Sequence, residues 1–201
     1  MSRACVLAFC ALLIGGCAGA LSPQAEEPAT FVLDARPAES PARARQDVVL
    51  AVGVPRARAG YDSAQIAFVR RPHELEYFAK SRWVDTPARM LAPLVTQALD
   101  RSGAFRAVVQ APSSVSADFR LDIELVRLQQ DFGTRPSRVE LAVRAQLVDL
   151  RGNRVVAETL LEEVESAPSE DAYGGVIAAN RALQRLLARV VDFCVEQSGG
   201  R

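Results

Sequence analysis

Between residues 119 and 147 the chain alternates apolar and polar side chains with a period of two, and this pattern limits the possible folds more than any other feature. Phe119, Leu121, Ile123 and Leu125 fall on one side against Arg120, Asp122 and Glu124. Val139, Leu141, Val143, Ala145 and Leu147 repeat the pattern against Glu140, Arg144 and Gln146. Successive side chains of a strand point to opposite faces, so each segment fits a strand with one dry and one wet face, the habit of antiparallel sheets. Arg151-Gly152-Asn153-Arg154 reads as a tight turn into a third strand over residues 155–164.

The period then lengthens. From Ser169 to Gln197, Val176, Ala179, Leu183, Leu186, Leu187, Val190 and Cys194 form a helical stripe, with Arg181, Arg185, Arg189 and Asp192 mostly off it. Ser169 with Glu170 and Asp171 predicts a capped, acidic first turn, and Gly174-Gly175 a close-packed start. A second helix is expected from Pro87, behind a cap at Asp85 or Thr86. It places Met90, Leu91, Leu94, Ala98 and Leu99 on one face and ends at Ser102-Gly103. Shorter strands are read at residues 31–33, 48–54, 65–70 and 105–110. Another covers 74–83, returning from a hairpin around Pro72 and His73. The order predicts an α+β fold: a mainly antiparallel sheet with two amphipathic helices packed on one face.

Lysine plus arginine and aspartate plus glutamate number 24 each, and 49% of residues are apolar, so a nucleic-acid clamp has no compositional support. His73 is the only histidine, and Cys194 the only cysteine beyond residue 17. A zinc site of several histidines or thiolates therefore cannot be assembled. Asp118, Asp122 and Glu124 lie on one stretch, but alternation sends the latter two to the solvated face. Gly174-Gly175 is too short to cradle a phosphate. The expectation is a protein that is not an enzyme and needs neither metal nor cofactor.

The amino terminus carries the address. Residues 4–14 form an apolar run after Arg3, short of the roughly 20 residues that span a bilayer core. The following Ile14-Gly15-Gly16-Cys17 resembles the lipobox of bacterial lipoproteins. That resemblance implies cleavage between Gly16 and Cys17, a diacylglycerol on the Cys17 thiol and an acylated new amine. The chain is accordingly divided into a signal peptide over 1–16, a lipidated N-terminus and flexible tether over 17–30, and a domain over 31–201. The tether spans on the order of 20 Å in its flexible limit. Ala18 stands where an aspartate would signal inner-membrane retention, so by analogy with that sorting rule the periplasmic face of the outer membrane is expected.

One stretch mixes aromatics with cations. Arg70, Tyr77, Phe78, Arg82 and Trp83 are candidates for a partner or lipid contact, since aromatic and arginine side chains bury large area and direct hydrogen bonds. The same region carries a family likeness: Ile66-x-Phe68-x-Arg70, Leu75-x-Tyr77, Arg82-Trp83 followed by Pro87 and Leu91, and the run from Leu99 to Phe105. With the opening Phe31-Val32-Leu33 and the terminal helix, it resembles the auxiliary lipoprotein component family of ABC-type transport systems (PqiC/YmbA-like). The resemblance implies a non-catalytic part docked on an MCE-domain protein, with its permease and ATPase, in a system moving phospholipid or other hydrophobic molecules across the Gram-negative envelope. Self-association into a homo-oligomer is compatible with that role. The alternative, from another class, is an envelope lipoprotein that scaffolds or activates a cell-wall synthase.

If Cys17 accepts the lipid, Cys17→Ser leaves an unprocessed precursor. Labelled palmitate should then enter the wild type alone, and equal labelling of both would refute the assignment.

Overall fold

The computed structural model describes residues 27–36 and 43–199. The expected signal segment, Cys17 and the tether as far as Glu26 lie outside the described residues. In chain order the elements are β1 (Ala29–Phe31), β2 (Gln46–Val52), β3 (Arg56–Ala57), β4 (Gln65–Val69), β5 (Leu75–Trp83), α1 (Pro87–Arg101), β6 (Phe105–Gln110), β7 (Phe119–Asp131), β8 (Arg138–Asp149), β9 (Arg154–Ser166) and α2 (Ala172–Ser198).

The alternating segments become β7 and β8, which pair antiparallel from Phe119↔Asp149 to Asp131↔Arg138, and β9 continues the meander on β8. The other edge of β7 is shared by three strands, all parallel to it. Leu50 of β2 pairs Phe119, Arg56 of β3 pairs Glu124, and Ala67 of β4 pairs Gln129. Beyond them β5 is antiparallel to β4, β1 is parallel to β5, and β6 is parallel to β2. The sheet is thus mixed, which corrects the mainly antiparallel expectation. Alternation reports which face of a strand is wet, but the direction of a short strand is set by tertiary pairing and by crossovers such as α1.

The dry faces meet as expected. Phe119, Leu121, Ile123 and Leu125 share one core with Val139, Leu141, Val143, Ala145 and Leu147, and with Leu183, Leu186, Leu187 and Val190 of α2. Met90, Leu91, Val95, Ala98 and Leu99 of α1 join the same core, so both helices cover one face. Leu94, expected on that stripe, is only partly buried, and Val95 takes the inward place. A bulge at Val126 shifts the phase of β7: Arg127 opposes Ala142 on the outer face, and Leu128 returns to the core.

The helix starts differ from expectation in detail. Thr86 is the cap position of α1 without a side-chain bond, and the Asp85 carboxylate accepts the Thr86 amide instead, at 2.7 Å. In α2 the cap is Asp171, which accepts the Gly174 amide at 2.8 Å and is itself held by the Ser169 hydroxyl at 2.7 Å. Ser169 therefore supports the cap from outside, and the first turn holds no acidic residue. Glu170, just before it, accepts the Ser137 amide. Gly174-Gly175 does start a close-packed contact. A Cβ on Gly174 would lie 2.2 Å from the Ser169 carbonyl oxygen, and one on Gly175 would lie 2.3 Å from Gln130 Oε1.

Arg185 and Arg189, away from the apolar stripe, reach the free edge of β9. Arg185 binds Glu163 and Glu165 and donates to the Val164 carbonyl, while Arg189 donates to the Glu162 carbonyl at 2.8 Å. Unpaired strand edges invite unwanted pairing, and these guanidinium groups occupy two carbonyls near the end of this one. Burial alone would raise the Glu163 carboxyl, but the hydrogen bonds and charges of Arg185 and Arg189 outweigh it and hold the pKa below the usual value.

Gly175→Ala should lower stability by about 1–3 kcal/mol through overpacking against Gln130, despite a helix-propensity gain of up to about 1 kcal/mol. Equilibrium denaturation measures the difference, and a more stable variant would show that Gln130 yields freely.

Candidate contact surface on the hairpin of β4 and β5

The hairpin turns through Arg71, Pro72 and His73, and His73 sits in the left-handed region at φ 68°. On its helix-facing side Phe68 and Phe78 pack at 4.6 Å between ring centroids, and Phe132 meets Phe68 edge-on at 5.8 Å. The Arg70 guanidinium lies 4.7 Å over the Phe68 ring and bonds Glu76 at 3.0 Å, so an exposed cation is fixed in place. Arg71 pairs with Glu74 beside it.

The opposite side of the hairpin is held by tyrosines. Tyr77 donates to the Gly60 carbonyl at 3.0 Å, and Tyr61 donates to Gln129. Burial pushes the Tyr61 phenol up, against the lowering influence of Arg127, so this group remains a neutral donor. Gly60 has φ 93°, a conformation L side chains rarely adopt, and this lets the loop before β4 carry Tyr61 over the outer face of the sheet.

The five candidates therefore separate. Arg70 and Arg82 are exposed, Tyr77 and Phe78 are half-buried and tied inward, and Trp83 is 3% exposed within the core opposite Phe31. Trp83 leaves the contact set. Interleaved aromatics and arginines look alike whether an edge hairpin is half covered or free, so local sequence could not separate these cases. Sequence reading also missed an open cleft of about 540 Å³ where Arg70, Arg71 and His73 face Gln129, Asp131 and Arg138. These residues come from turns about sixty positions apart, and no local pattern joins them.

The chemistry elsewhere is structural. Asp118 is buried, not solvated: its carboxylate accepts the Val49 amide at 2.9 Å and binds Arg151. The Val49 amide, with Arg151, holds its pKa below the usual carboxylate range against the effect of burial. Asp122 and Glu124 do lie on the outer face, paired with Arg120 and with Arg58 and Arg144. Burial pushes the Cys194 thiol up to about 12, so it stays a protonated core side chain. Among the described residues no three metal-liganding side chains come together, and no helix is long and apolar enough to cross a membrane. The gap between Trp83, Gln130 and Gly175 measures about 10 Å³. That is the space of about one water-sized probe. Neither this gap nor the one between Leu91, Leu125 and Leu183 admits an acyl chain, so any binding at these places must be on the surface.

Trp83→Ala should cost about 3–5 kcal/mol of stability, while Arg82→Ala should change it by less than about 0.5 kcal/mol. Denaturant midpoints of the two variants test this, and a tolerated Trp83→Ala would return Trp83 to the surface.

Comparison with known proteins agrees with the architecture. The model of the ABC-type transport auxiliary lipoprotein component family matches residues 31–191. The fold is similar to the crystal structure of a Xanthomonas campestris protein, with 23% identity, a TM-score of 0.78 and coverage of 85% of this chain and 96% of that one. A hypothetical protein of Chlamydia trachomatis is similar at 12% identity and a TM-score of 0.54, covering 75% of this chain and 96% of that one. At these identities the two structures establish the fold alone. No curated protein matches the sequence significantly. The family match runs from the last residue of β1 through most of α2, and it takes in the residues that carried the likeness in the sequence. The chain belongs to the ABC-type transport auxiliary lipoprotein component family.

Proposed function

We propose that this chain is the non-catalytic, lipid-anchored auxiliary component of an MCE-type ABC transport system moving phospholipid or other hydrophobic molecules across the Gram-negative envelope. Its place is the periplasmic face of the outer membrane. The observation that carries the reading is the family match over residues 31–191. Membership in an auxiliary transport family leaves energy supply to an ATPase elsewhere, and the surface chemistry described above fits a protein that works by gripping rather than reacting.

In this account acyl chains on Cys17 fix the chain at the membrane, since each buried methylene adds about 0.8 kcal/mol. The tether lets the domain reach the MCE-domain protein, and a homo-oligomer around that partner would multiply a weak contact. Arg70 and Arg82 are the exposed members of the candidate set. Arg70, held over Phe68, is preorganised for an acidic or aromatic partner group. The packed interior favours a lipid guided along an assembly over one enclosed within this chain.

Crosslinking in the native envelope, followed by mass spectrometry, tests the proposal. The expected partners are an MCE-domain protein with its permease and ATPase, and Arg70→Glu should reduce that yield without unfolding the protein. Recovery of a peptidoglycan synthase in their place would overturn it.

A further inference from the structure

Three of the nine large apolar side chains exposed among the described residues lie near the end of β1 where the chain leaves the strand. Val32, Val84 and Tyr173 leave 46%, 60% and 58% of their surface open. Val32 and Val84 directly follow β1 and β5, and Tyr173 belongs to α2; Phe31 links the last two. The Val84 amide donates to the Phe31 carbonyl at 2.7 Å as the end of β5 runs on beside β1. The Phe31 ring lies 6.1 Å from that of Tyr173 at the start of α2. Asn180, two turns further along α2, completes the clamp. Its Oδ1 accepts the Asp34 amide at 2.8 Å, and its Nδ2 donates to the Val32 carbonyl at 3.2 Å. The backbone here is tied down on both sides, yet the side chains turned away from the core are greasy. Arg82, exposed beside Val84, reaches Thr30 of β1 at 3.5 Å.

We infer that this rim of Val32, Val84 and Tyr173, flanked by Arg82, rests on the lipid surface to which the chain is tethered. The inference depends on the reading that Cys17 is acylated. Eleven residues separate Cys17 from Ala29, a covalent reach of at most about 40 Å. Of the described strands, β1 is the one nearest the anchor along the chain, so its surroundings meet the bilayer at a higher effective concentration than any other surface. The chemistry matches that neighbour: valines enter the acyl boundary, a tyrosine places its ring and hydroxyl at headgroup level, and an arginine meets lipid phosphate. Leu160 and Val164, two of the three exposed large apolar side chains of β9, lie across β5, β4, β7 and β8 from this rim and provide an internal control.

The test uses the full lipidated chain carrying Val84→Cys or Leu160→Cys. Each is labelled with bimane and reconstituted in phosphatidylethanolamine and phosphatidylglycerol vesicles with ordinary or brominated acyl chains. Cys17 is blocked by its lipid and Cys194 is buried, so the label reports the introduced position. The expected result is a loss of fluorescence in brominated vesicles at position 84 and little loss at 160, with Tyr173→Cys behaving like position 84. Equal, weak quenching at 84 and 160 in protein whose intact mass includes the diacylglycerol would overturn the inference. The rim would then be covered by another part of the chain or by a protein partner, and the anchor would stand. Protein that lacks the acyl mass and does not float with vesicles would remove the anchor and this inference together.

Discussion

The backbone ladder of β7 is the constraint on which the rest of the molecule depends. One edge of this strand is filled along its length by β8, and the other is divided among β2, β3 and β4. Each of these strands is registered against the same template, and a slip of one residue would exchange a dry face for a charged one. The bulge at Val126 lets a long strand keep its apolar side chains on the helix side at both ends. The helices follow from this: α1 and α2 cover the face that β7 and β8 make dry, and they meet in one shared core.

The opposite face stays wet through interleaved charge. Glu124 lies between Arg58 and Arg144, and Glu140 between Arg127 and Arg138. Such exposed pairs add little stability one by one. Their effect is to keep the uncovered side of the sheet from acting as an apolar docking face. The few buried polar groups have specific tasks. Asp118 fastens the start of β7 to β2, and Gln130 holds Ser137 while fitting against Gly175. A glycine fits there without displacing Gln130, whose Oε1 a Cβ would meet at 2.3 Å.

The elements that could be read from sequence were those whose side-chain period reports burial directly. The faces of β7 and β8, the turn into β9 and the stripes of both helices all belong to this class. The family likeness was readable for the same reason: Ile66, Phe68, Trp83, Leu91, Leu99 and Phe105 are core residues, so the motif records packing. It could identify the fold's relatives without marking a site, and Trp83 was misplaced on the surface for that reason. Strand direction and the cleft between the two turns depend on contacts between distant segments. No window of sequence contains both partners.

The clamp on β1 also has a mechanical meaning. Any pull on the leading segment arrives first at a ladder of three residues and at a single asparagine side chain. Of the other strands, β5 alone pairs with β1 and takes that load directly. Phe31, Leu33 and Ala35 pack on the core just there, so force on the leading segment would be passed into the domain through this short edge strand.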